Sequence, residues 1–159
     1  MNEIQSFLTA TERCVAQSKT MLSFEQEKRQ ALLSDDLTRL ESMIQAQQAA
    51  IMKMESLEKQ RLEAQEKAGY HNLSASEILA LLGDSPDRAI LARQISELKL
   101  TLEEIRYHNE KAMEIARANL QVVEKMSAGA ARNDQQGVYR PKPSGGADFQ
   151  GGSSFETKI

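Results

Sequence analysis

Cys14, His71 and His108 are the side chains here best suited to nucleophilic or metal chemistry. Zinc is held by Cys and His ligands closely paired in sequence or brought together by helical spacing, and these three show no such pattern. A single cysteine cannot close an intrachain disulfide. Cys14 also falls on an apolar helix face, where a thiol stays protonated and inert. His71 lies in a turn and His108 beside an apolar seam, so both read as solvated or capping groups. There is no glycine-rich phosphate loop and no GxSxG elbow, and the many Glu and Lys residues read as solvated helix faces. The expectation is a protein that is not an enzyme, with no catalytic, cofactor or metal-binding residues.

The elements around these residues are helical. Hydrophobic residues make up 40% of the 159-residue chain and aromatics only 4%, without tryptophan. The apolar set is mostly Leu, Ile, Met and Ala, which favour helices over strands. A net charge of −3 against 27% charged residues argues against a nucleic-acid-binding basic patch or an electrostatic grip on anionic lipid. No apolar run approaches the roughly 20 residues that span a bilayer. The start, Met1-Asn2-Glu3-Ile4, lacks a signal-peptide pattern. A cytoplasmic protein without membrane insertion is expected.

Glycine and proline divide the chain. Up to residue 128 only Gly69, Gly83 and Pro86 occur, and the other six glycines and two prolines lie in the last 31 residues. This predicts a helical domain over 1–128 and a disordered tail over 129–159. The first helix spans about 2–33, with Ile4, Phe7, Leu8, Cys14, Val15, Met21, Leu22 and Phe24 on one face. Ser34-Asp35-Asp36 supplies cap residues and opens a second helix, about 36–68, forming an antiparallel hairpin. Its stripe is Leu37, Leu40, Ile44, Ile51, Met54, Leu57 and Leu62. Ser74-Ala75-Ser76-Glu77 fits a capping box before a short helix, about 76–82. Pro86 then opens the last helix, about 86–127. The fold class is all-α: an elongated antiparallel bundle or coiled coil of three long helices plus one short one.

The last helix carries a heptad seam: Leu91, Ile95, Leu98, Leu102, Ile105, Asn109, Ala112, Ala116, Asn119 and Val123. From Asn109 on, the seam turns to Asn and Ala, with Met113, Leu120 and Val122 beside it. At 1.5 Å per residue this helix is about 63 Å long, against about 48 Å for each of the first two. Its C-terminal turns should therefore be weakly covered, and an uncovered amphipathic stretch is a candidate binding surface. Asn109 and Asn119 fit either of two roles, fixing helix register or lining that surface. In the tail, Tyr139 stands in a short apolar element, Gly137-Val138-Tyr139-Arg140-Pro141.

The order of parts resembles the FlgN-type flagellar export chaperones, over about residues 5–140. The resemblance is carried by Phe24-Glu25-Gln26-Glu27-Lys28-Arg29-Gln30-Ala31-Leu32-Leu33, Asp36-Leu37-Thr38-Arg39-Leu40-Glu41, Glu77-Ile78-Leu79-Ala80-Leu81-Leu82, Leu102-Glu103-Glu104-Ile105-Arg106-Tyr107-His108-Asn109 and Val138-Tyr139. Two features depart from the family pattern: Arg140-Pro141 follows the tail tyrosine where glycine is usual, and the tail is long. The resemblance implies a chaperone that binds the C-terminal segments of the hook–filament junction proteins FlgK and FlgL. It would keep them unassembled and deliver them to the export gate, whose membrane component is FlhA. By that resemblance Asn109, Met113, Ala116, Leu120 and Val123 bind the client, and Tyr139 contacts the gate.

Two other readings use the same residues. A homo-oligomeric coiled-coil scaffold would bury the last-helix seam against a copy of itself. A membrane-surface helix is disfavoured by the lack of a Lys/Arg-rich polar face.

Overall fold

A computed structural model of the chain describes residues 2–133, with side chains through Ala130. Four helices follow in order: α1 Glu3–Leu33, α2 Leu37–Lys67, α3 Ala75–Leu82 and α4 Pro86–Asn133. No strand occurs among the described residues, and the fold is the expected all-α bundle. The chain divides into two units, Met1–Ala116 and a second beginning at Arg117. The bundle lies in the first. The described part of the second is the C-terminal stretch of α4.

Each helix begins where a side chain satisfies its free N–H groups. Asn2 accepts from the Gln5 amide at 2.9 Å, and Asp36 accepts from that of Arg39 at 3.0 Å. Ser74 and Glu77 form a reciprocal capping box, and Ser85 accepts from the Arg88 amide at 3.3 Å. Gly69, with φ +86°, follows the last turn of α2 in the left-handed conformation that glycine adopts without strain. Beyond it, the Gln65 amide donates to the carbonyls of Tyr70 and Leu73 at 2.9 and 3.0 Å, fixing the link to α3.

Cross-helix hydrogen bonds set the directions. Gln17 donates to the Ala50 carbonyl and Cys14 reaches Glu58, so α1 and α2 are antiparallel. Gln5 pairs with Asp87, Lys19 with Glu97 and Lys28 with Asn109, so α1 and α4 run parallel. α2 therefore runs opposite in direction to both. Phe7, Leu8, Ile78 and Leu91 form a buried cluster where α3 docks, flanked by Ile4, Tyr70 and Ile95.

The seams are more polar than the sequence pattern implied. On α1 the buried heptad line is Phe7, Thr11, Cys14, Ser18, Met21, Glu25 and Lys28. On α4 the enclosed residues are Leu91, Gln94, Leu98, Thr101 and Ala112, whereas Ile95 and Leu102 are only half-buried. The hydroxyls of Thr11, Ser18 and Thr101 donate to carbonyls of their own helices, which lets small polar residues sit at close helix contacts without an unmet donor. Two leucines assigned to the α2 stripe, Leu37 and Leu62, are exposed. Leu37 is the first residue after the turn, where α1 has already ended.

The last helix continues to Asn133, past the end expected near Ser127. Ala128, Ala130 and Ala131 are strong helix formers, and one exposed glycine among them costs only about 1 kcal/mol. The expected disorder of the tail concerns residues of which all but the first five lie outside the described ones.

Candidate functional site

Burial along α4 stops at Ala112. Met113 is 41% exposed, Leu120 57% and Val123 58%, and Ala116 and Asn119 are exposed with them. At about 100° per residue, Met113 and Ala116 fall on one face of the helix in the first unit, and Leu120 and Val123 on one face in the second. Ile115 widens the first, and Asn119, Val122 and Met126 the second, to about half the circumference. Glu110 and Glu114 fall on the other half in the first unit, and Arg117, Glu124 and Lys125 in the second. This segregation belongs to α4 itself: Asn109, Met113 and Ala116 lie in the first unit, and Leu120 and Val123 in the second.

Asn109 is placed differently from the rest. It is half-buried, and its side-chain oxygen accepts from Lys28 Nζ at 3.3 Å. Lys28 also donates to the Gln47 side chain at 3.3 Å and lies 2.9 Å from Glu25 Oε2. Gln47 donates in turn to Glu25 Oε1. One polar layer therefore joins α1, α2 and α4, with Glu25 and Lys28 buried in it. The Asn109 amide nitrogen points to Met113 Sδ at 4.0 Å, so Asn109 sits where the bundle layer meets the exposed face.

The three side chains with the most chemical scope are engaged structurally. Cys14 is fully buried. Burial first, then the nearby Glu58 carboxylate, pushes its pKa from 9.0 to about 12. A thiol held that high carries no nucleophilic thiolate near neutrality. His71 is exposed, with Nδ1 3.5 Å from Glu66 Oε1. His108 lies 3.5 Å from an Arg29 guanidinium nitrogen and edge-on to Tyr107. No cluster of three potential metal ligands occurs among the described residues, and no described helix is long and apolar enough to cross a membrane.

Two features escaped the sequence reading. Met126, 71% exposed, belongs to the α4 face, and its spacing from Val122 and Val123 is the signal that would have found it. The Glu25–Lys28–Gln47 layer was hidden because charged residues stand where the heptad calls for apolar ones. Tyr139 lies outside the described residues.

A family model described as FlgN protein matches residues 1–144. No curated protein and no solved structure matches the chain. The family match spans the hairpin, the short middle helix and the whole described length of α4, and by it the chain belongs to the FlgN family of flagellar export chaperones.

Proposed function

We propose that this chain binds the C-terminal segments of the junction proteins FlgK and FlgL in the cytosol, prevents their premature assembly and hands them to the export gate. Met113, Ala116, Leu120 and Val123 form the client face, with Asn109 at its inner edge. Tyr139 is the contact to FlhA. The role is one of binding, with no reaction catalysed. The observation that carries this reading is the charge-free apolar half of α4 that remains exposed after burial ends at Ala112. An amphipathic client helix laid on such a face is helix-in-groove recognition. Enclosing side chains such as Met113 and Leu120 contributes about 1.5–3 kcal/mol each.

Titration calorimetry with FlgK and FlgL C-terminal segments tests the proposal. Met113→Asp with Leu120→Asp should weaken binding by at least tenfold, while leaving the thermal melt of the bundle unchanged. Undiminished binding by the double variant removes this face as the site, and no binding by the wild-type chain removes the client. Tyr139→Ala should abolish capture by the cytosolic part of FlhA and spare client binding. Light scattering on the chain alone should give a monomer at micromolar concentration. A dimer that the Asp variants dissociate would instead assign the face to self-association.

A further inference from the structure

The bundle is held unevenly along its length. Where α3 docks, Phe7, Ile78 and Leu91 are fully enclosed, and Gln65 ties down the connecting backbone. At the opposite end no large apolar side chain is fully enclosed among the described residues. From Glu25 onward α1 buries Glu25, Lys28 and Ala31. Before Ala50, α2 buries nothing, and after Thr101 the one buried described residue of α4 is Ala112. Leu32, Leu40, Met43 and Ile44 are only half-buried there, so each adds less hydrophobic stabilisation than the enclosed Phe7, Ile78 and Leu91. The Glu25–Lys28 ion pair at this end loses hydration on closing and regains it on opening. Leu33 and Leu37, on either side of the turn at this end, are exposed.

We infer that the tip of the α1–α2 hairpin, about residues 25–49, is a flap that opens from α4 at the Lys28 layer and so enlarges the face offered to a client. Leu102 and Ile105, half-buried in the closed bundle, fall on the same helical arc as Met113 and Ala116. Opening adds them and Ala112 to the face. The closed flap lowers apparent client affinity by the fraction of molecules that are open. This inference rests on the reading of α4 as the client site.

Hydrogen exchange on the full chain tests it, because local opening is read directly from amide protection. Amides of 26–33 and 38–49 should exchange at least tenfold faster than those of 8–21 and 51–66. Uniform protection along α1 and α2 overturns the flap. A closed variant, Glu25→Leu with Lys28→Met and Gln47→Leu, replaces the layer by apolar side chains. It should slow tip exchange to the rate of the bundle and weaken binding of the FlgK segment at least tenfold. Full protection of the tip with unchanged affinity overturns its part in binding. Fast tip exchange in a wild-type chain that captures neither segment keeps the flap and removes the client reading instead. The comparison within the wild-type chain stands whether or not the variant folds.

Discussion

Lys28 on α1 donates to the side-chain oxygen of Asn109 on α4 at 3.3 Å, and the same ammonium meets Glu25 at 2.9 Å. A residue whose position on the seam fitted either register or client binding is thus engaged in the bundle while still touching Met113. Polar side chains buried at a single layer penalise shifted helix alignments, since a slip takes Lys28 and Glu25 away from their hydrogen-bond partners Gln47 on α2 and Asn109 on α4. The layer fixes register at the end of the bundle where apolar packing is thin.

Lys28→Met should therefore be costly. It leaves the buried Glu25 carboxylate without its countercharge, a defect worth about 3–5 kcal/mol. The triple replacement Glu25→Leu, Lys28→Met and Gln47→Leu should be neutral or stabilising by up to about 4 kcal/mol, because no charge remains to be desolvated. Urea midpoints of the two variants against wild type check the contrast. A triple variant weaker than wild type would mean that the layer is a net source of stability.

Gln94 offers a second test of a polar seam. Its amide nitrogen donates to the Leu8 carbonyl and to Glu12, which fixes the amide orientation, and its Oε1 is buried without a partner. A buried acceptor in that state costs about 1–3 kcal/mol. Glu12 keeps Arg93 as a neighbour at 3.4 Å, so losing the Gln94 donor is tolerated. Gln94→Leu should stabilise the bundle by about 1 kcal/mol, read as a higher urea midpoint at unchanged slope.

The helices were legible because their ends are written in local chemistry. Asp36, Ser74 with Glu77, and Pro86 after Ser85 mark starts that need no tertiary information. The apolar core around Phe7, Ile78 and Leu91 was legible from helical spacing. The polar members of the seams were not. Thr11, Ser18 and Thr101 satisfy their hydroxyls within the bundle and Gln94 its amide N–H groups, and a pattern built on hydrophobicity passes over them. For α4 this moved the expected seam onto Ile95 and Leu102, one residue beyond the enclosed Gln94 and Thr101. The exposed face from Met113 on was legible for the opposite reason: its charges and apolar residues separate cleanly.

Cys14 predicts both reactivity and pH dependence. With a pKa raised from 9.0 to about 12, the folded state holds its proton over a range in which the unfolded state releases it. The resulting stability is fully present below about pH 9 and is lost as pH rises from there toward 12, because the unfolded state then binds fewer protons. A disulfide-exchange reagent at pH 8 should leave the native thiol unmodified and react rapidly once urea unfolds the chain. In Cys14→Ala, the fall in urea midpoint above pH 9 should be shallower than in wild type. An equal fall would place the alkaline sensitivity on other groups.

Gly129 lies within the last turns of α4. Composition places the end near Ser127, whereas the helix runs to Asn133, with nothing within 4 Å of the position a Cβ would occupy at Gly129. Within an exposed helix, replacing glycine by alanine gains about 0.8–1.0 kcal/mol of helical preference, because alanine has less backbone freedom to lose. Gly129→Ala should therefore deepen the ellipticity at 222 nm and slow hydrogen exchange over residues 124–133. If the helix stopped at Ser127, position 129 would already be coil and neither signal would move. The same variant then reports on function: if the client helix uses Val123 and Met126, firming the turn beyond them should tighten FlgK binding by up to about fivefold, the most that such a gain in helical preference supplies.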